Sequence, residues 1–234
     1  MTKNLLSLAA IVAITTSLHA ANQYTLENIS VTAAQDTELK KEDVPDSVTI
    51  ITKEAIEEAR VTTLAEALQK LGNIATVSNG GPGHTTAMYV RGMDTSRTLV
   101  LIDGIRYNNV TSSNGADYAQ LMLNNVEQIE IIKGAQSGIW GADASAGVIN
   151  VVTSKAKKGL HGAINAEYGS FDTKSTALQA SYATDTFDFV LGASVYDTDG
   201  FSAYEPIKGD PNYGKRYDEL GLEKDQYKNE SLNL

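Results

Sequence analysis

Between Leu99 and Thr153, three apolar runs alternate with glycine-anchored turns: Leu99–Ile102, Ile129–Ile132 and Val148–Val152. Runs this short, bounded by turn residues and rich in Val and Ile, read as strands. Asp103-Gly104 stands between two extended segments. A two-residue hairpin turn needs positive φ, which glycine supplies without strain. Ile129-Glu130-Ile131-Ile132-Lys133 ends on Gly134, small residues surround Trp140 from Ala135 to Gly141, and Gly147 opens the next strand.

The residues before this stretch add helices. Ser47–Thr52 (SVTIIT) predicts a strand, with Thr52 as N-cap of a short helix through Ala55 and Ile56. A second helix is predicted from Thr63 to Leu71. Thr63 and Glu66 have capping-box spacing, and Leu64, Leu68 and Leu71 share one face. Gly72-Asn73 stops it. Extended segments follow at Ile74–Ser78, Ala87–Arg91, Thr98–Ile102, Val126–Lys133 and Val148–Thr153. The region is therefore predicted to mix α and β, with most of its apolar residues in the core.

After residue 155 the pattern changes. Ala163–Tyr168, Thr176–Tyr182 and Phe187–Tyr196 alternate apolar with polar residues, and a fourth strand begins near Glu230. Strands of about ten residues with turns between them suit a transmembrane barrel. Tyr168, Phe171, Tyr182, Phe187 and Tyr196 fall near strand ends, where an aromatic girdle would lie. A soluble sandwich alternates in the same way. So few strands cannot close a barrel, and an open sheet edge in lipid leaves backbone groups unpaired. The expectation is a fragment of a longer chain.

At the other end, Lys3 precedes an apolar stretch, Leu5–Leu18, and Ala20 supplies a small residue for cleavage. This pattern predicts a signal peptide over residues 1–20. Residues 21–43 are polar around one alternating segment, Glu27-Asn28-Ile29-Ser30-Val31-Thr32-Ala33. Its β-branched residues at period two favour a strand able to join a partner's sheet edge.

Composition excludes several classes. The chain has no cysteine, so neither disulfides nor thiol catalysis are available. A net charge of −10 argues against nucleic acid as a partner. No GxSxG motif or nucleophile–base constellation points to an enzyme.

The ordered pattern VLIDG…VEQIEIIKG…S…WG…A.AGVINVVT, within Val44–Thr153, resembles the plug domain of TonB-dependent outer-membrane receptors. Three positions depart from the usual pattern: Gly134-Ala135 replaces Gly-Pro, Ala146-Gly147 replaces Gly-Gly, and Trp140-Gly141 replaces Tyr-Gly. Each swap roughly keeps size or backbone freedom. The resemblance implies a signal peptide (1–20), a TonB-box segment and linker (21–43), a plug (44–154) and the start of a barrel (155–234). The implied fold is an α+β plug, a small mixed sheet with short helices, followed by the first antiparallel strands of a barrel of about 22 strands. It places Glu27, Asn28, Ile29, Ser30, Val31, Thr32 and Ala33 in the box that engages TonB. It also implies residence among the lipids of a Gram-negative outer membrane.

Two polar loops, Asn79–Thr86 and Tyr107–Asp117, correspond to the loops that floor the ligand pocket in this family. The expected ligand contacts are Asn79, Gly80, Gly81, His84 and Thr85 in the first loop. In the second they are Tyr107, Asn108, Asn109, Thr111, Ser112 and Ser113. Neither loop contains Lys or Arg, and their neutral donors and acceptors suit an amide-rich ligand. Arg106, at the edge of the second loop, weighs the other way. The Arg91-Gly92 pair matches a family position at the plug–barrel contact.

The segments YGSFDT, DFVLGASVYDTDGFSA and NGGPGHTTAMYVRGMDTSRTLVLIDG are most similar to the cobalamin (vitamin B12) receptor branch. A catecholate siderophore receptor and a haem receptor are the alternatives. Haem requires axial ligands, and after cleavage only His84 and His161 remain. A periplasmic binding or structural module without transport is the reading from another class. No covalently bound cofactor is implied. Asp197, Asp199 and Asp210, in or beside one long loop, are candidate calcium ligands.

Overall fold

A computed structural model describes residues 30–31, 39–40, 47–109, 115–202, 206–215, 219–221 and 224–234. The first elements are two short strands, β1 (Ser30–Val31) and β2 (Leu39–Lys40), which pair antiparallel with Val31 opposite Leu39. Then come β3 (Ser47–Thr52), helices α1 (Lys53–Ala59) and α2 (Leu64–Lys70), and a hairpin of β4 (Ala75–Ser78) and β5 (Thr86–Tyr89). Next are β6 (Thr98–Ile102), β7 (Ile105–Arg106), β8 (Val126–Lys133), a single-turn helix α3 (Ser137–Trp140) and β9 (Gly147–Thr153). Strand order in the central sheet is β3-β8-β9-β6-β7, and only β6 and β9 run parallel.

The local signals explain these elements. Thr52 and Thr63 cap α1 and α2, each accepting a hydrogen bond from the backbone N–H three residues on. The Glu66 carboxylate reaches back to the N–H of Thr62, at 3.0 Å, one residue beyond the usual capping-box partner. Helix α2 ends where Gly72 lies against the backbone of Leu68 and the side chain of Ile131, leaving no room for a Cβ. Lys133 Nζ, at the end of β8, donates to the Gly72 carbonyl at 2.8 Å, a cation at the helix C-terminus. Asp103 (φ 49°) and Gly104 (φ 80°) form the tight turn between β6 and β7. The Asp103 carboxylate accepts from both the N–H and the hydroxyl of Thr153, pinning that turn to β9.

Both faces of the sheet bury apolar side chains. One packs Ile51, Ile129, Ile131, Ile149 and Val151 against the helix residues Ile56, Leu64 and Leu68. The other gathers Leu99, Leu101, Ile132 and Val148 against Ala144, with Trp140 partly buried beside them. Glu130, two residues before Ile132 on β8, is fully buried. Its carboxylate accepts from Gln128 Nε2 at 2.8 Å and Asn150 Nδ2 at 3.2 Å, while Asn150 Oδ1 accepts from the Gly104 N–H. Hydrogen bonding of this kind is what makes a buried carboxylate tolerable.

A second sheet follows, in order β10 (Gly159–Gly169), β11 (Thr173–Ala183), β12 (Asp188–Thr198) and β13 (Tyr227–Asn233), all antiparallel. These strands extend beyond their alternating cores because pairing continues into the flanking polar residues. Gly192, Ser194, Tyr196 and Thr198 are buried, and Gln179 Nε2 donates to Asn125 Oδ1 of the first domain at 2.5 Å. The opposite face exposes Leu160, Ile164, Tyr168, Leu178, Tyr182, Phe189, Val195 and Leu232. Tyr196 does not belong to an outward girdle: alternation turns it inward, where its ring lies 6.0 Å from that of Tyr227. Phe171 sits in a left-handed turn and packs on Phe201 at 5.4 Å.

Candidate functional site

The loop Asn79–Thr85 is the tip of the β4–β5 hairpin. The Asn79 N–H donates to Thr85 O, the His84 N–H to Gly81 O, and the Thr86 hydroxyl to His84 O. The His84 ring folds over Gly80, where a Cβ would stand 2.7 Å from the ring. Asn79 and Thr85 are exposed, and Gly81 is buried. A cavity of about 1140 Å³ adjoins Gly80–Gly83 and is walled by α2, β10 and β12. Glu66, Glu167, Arg60 and Lys70 line it together with Phe201, so its wall carries both signs of charge.

The second loop divides by role. Thr111, Ser112 and Ser113 lie outside the described residues. Tyr107 is half-buried against the core, and burial, reinforced by the Asp117 carboxylate, pushes its phenol above the ordinary range. Asn109 is exposed, and its N–H donates to Gly115 O. Asn108 is not placed as a free ligand contact. Its Oδ1 accepts from the Val100 N–H at 2.6 Å and its Nδ2 donates to Thr98 O at 3.0 Å. Both ends of the amide thus serve β6 as a substitute strand. Asn108→Ala is expected to cost about 1–3 kcal/mol, since it strips partners from two strand groups. Faster amide exchange at Val100 would reveal the loss.

The cation at the loop edge is already engaged: Arg106 pairs with Asp143, and its Nη2 donates to Trp140 O at 3.0 Å. Its charge is thus matched by an acidic partner at the loop edge. Arg91, expected at the end of an apolar strand, instead occupies an exposed left-handed turn with Gly92 (φ 51° and 79°) between Val90 and Met93.

Of the box segment, only Ser30 and Val31 are described, as strand β1 paired with β2 of the same chain. Glu27, Asn28, Ile29, Thr32 and Ala33 lie outside the described residues. The three candidate calcium ligands are not gathered. Asp197 lies on β12 in register with Lys174 and Lys228. Asp199 accepts from Lys224 Nζ at 2.8 Å, and Asp210 accepts from the Asn212 N–H of its own turn. Among the described residues no three acidic or histidine side chains cluster as a metal site. The alternating strand and the local turn separate them, although they are near in sequence. Asp172 is a more engaged carboxylate: hydrogen bonds from Lys174 and Tyr168 hold it below the usual range.

Gln120, Phe201, Asp225 and Tyr227 also reach the first loop, and nothing in the local sequence marks them. Gln120 sits among core residues, and the others flank or open a strand far along the chain.

This is the arrangement of a receptor plug held against a wall of antiparallel strands, and residues 40–148 match the TonB-dependent receptor plug domain. Residues 40–148 thus form a plug domain of the TonB-dependent receptor family. It is 30% identical over 217 residues to the vitamin B12 transporter BtuB of Vibrio vulnificus (strain CMCP6), covering 92% of this chain and 35% of that protein. It is 32% identical over 179 residues to the BtuB of Vibrio cholerae serotype O1 (strain M66-2), covering 76% of this chain and 29% of that protein. The chain thus spans about a third of the length of the curated relatives it matches. Among solved structures, the ferripyoverdine receptor of the outer membrane of Pseudomonas aeruginosa has the same fold. It is 19% identical, with a TM-score of 0.62 over 74% of this chain and 23% of that one. The siderophore receptor PiuA from Acinetobacter baumannii is 27% identical, with a TM-score of 0.52 over 73% of this chain and 23% of that one.

Proposed function

We propose that this chain is the plug-bearing part of an outer-membrane receptor that imports a corrinoid by TonB-coupled transport, without catalytic activity of its own. The observation that carries this reading is the likeness to vitamin B12 transporters, which extends through the plug into the wall strands. The outward apolar face supports a place in lipid. Strands β10, β11 and β12 have eleven residues each, and at a tilt of about 45° that length covers about 25 Å, the height of a barrel's apolar band. The neutral floor supports a ligand rich in amides rather than an anionic iron chelate.

Equilibrium binding to the full-length protein in detergent tests the substrate. Cyanocobalamin is expected to bind and a ferric catecholate to be ignored; the reverse result overturns the corrinoid reading and leaves the receptor class standing. The second reading, a siderophore receptor, draws on the likeness to PiuA. Uptake that persists in cells lacking TonB would overturn the transport mechanism itself.

A further inference from the structure

We propose that Gln120 and Tyr227 are positioning residues that hold the first floor loop in place between the plug core and the strand wall. The link itself stands on geometry alone; its effect on a corrinoid rests on the function proposed above.

Gly83 lies at the tip of the loop in a left-handed conformation (φ 82°), and the Tyr227 ring occupies the space a Cβ would need. So close an approach requires glycine at this position. The Gly83 carbonyl accepts from Gln120 Nε2 at 3.0 Å, and Gln120 Oε1 accepts from the Tyr227 hydroxyl at 2.7 Å. That hydroxyl accepts in turn from Asn229 Nδ2 at 2.9 Å. Each amide end of Gln120 meets a complementary group, and the reversed orientation would set its oxygen against the Gly83 oxygen.

Both ends of the link are anchored. Gln120 stands between Tyr118 and Leu121, whose carbonyls accept from the Ala65 and Leu64 N–H groups at the start of α2. Tyr227 opens β13, pairs with Thr198 of β12, and packs its ring against Tyr196. Two weaker contacts run beside the link: His84 Nε2 lies 3.8 Å from Asp225 Oδ2, and the Phe201 ring lies over Gly81. Phe201 and Asp225 stand on the two stems of the β12–β13 connection. The tip that would carry the ligand is therefore fastened to the plug on one side and to the mouth of the wall on the other. Loss of the link frees the floor without unfolding the sheet beneath it.

Hydrogen exchange on the full-length protein in detergent tests this with Gln120→Met, Tyr227→Phe and the double variant. Tyr227→Phe keeps the ring against Gly83 and removes only the hydroxyl. Amides of residues 79–86 are expected to exchange about tenfold faster in Gln120→Met, and less so in Tyr227→Phe. The double variant should match Gln120→Met, because both changes cut one chain of bonds. Exchange in β8 and β9 should stay unchanged. Cyanocobalamin should dissociate faster by a similar factor, with its association rate unaltered.

Unchanged exchange at residues 79–86 in Gln120→Met overturns the proposal. So does a uniform rise across the plug sheet in both single variants, which would mark a merely structural role. If exchange rises as expected while the wild-type protein ignores cyanocobalamin, the link stands and the substrate reading falls.

Discussion

Cells carrying proline at both Ile29 and Val31 are expected to bind ligand at their surface as before and to stop accumulating it. Coupling by strand addition depends on main-chain hydrogen bonds between the box and its partner. Each proline removes a donor and fixes φ near −65°, which a paired strand does not accept. Losing even one such bond with its geometry costs on the order of 1.4 kcal/mol, so two changes should lower uptake by more than about tenfold. Val31 already pairs with Leu39 in this chain, so the same change also loosens an internal hairpin. If that hairpin were the segment's whole role, opening it would leave uptake intact. Radiolabelled cyanocobalamin separates the two: normal binding with normal uptake would sink the box assignment.

Asn150→Leu is expected to loosen the centre of the plug sheet by about 2–4 kcal/mol. Leucine keeps the branching and heavy-atom count of asparagine, but its methyl groups are bulkier in this fully buried position, so some overpacking adds to the loss. What is lost is a donor to the buried Glu130 carboxylate and the acceptor of the Gly104 N–H. Amide exchange in β8 and β9 of the full-length protein should accelerate about thirtyfold to thousandfold. Adding Glu130→Leu removes the carboxylate left short of a partner, so the double variant should recover much of the protection. A double variant worse than Asn150→Leu alone would show that the carboxylate itself stabilises the sheet.

The strands at Ser47–Thr52 and Val126–Lys133 were legible in the sequence to the residue, and so were both helix caps. Alternation, capping hydroxyls and the Asp103-Gly104 turn act over a few residues, and the chemistry that decides them is present locally. The inward turn of Tyr196 was less legible. An aromatic near a strand end fits either face of an alternating strand, and only the register against β11 and β13 chooses between them.

By itself, then, the sequence determined the order and kind of the elements, the plug-like succession of short strands, and the absence of Lys and Arg from two polar loops. Only the tertiary structure decided which strands pair, that β6 runs parallel to β9, and that the Asn108 amide bonds along the edge of β6. It alone joined Gly104 to Asn150 across 46 positions and Gln120 to Tyr227 across 107. Such contacts depend on where distant segments come to rest. A glutamine that positions a loop carries no local signature, because its role exists only once the wall strand stands beside the plug.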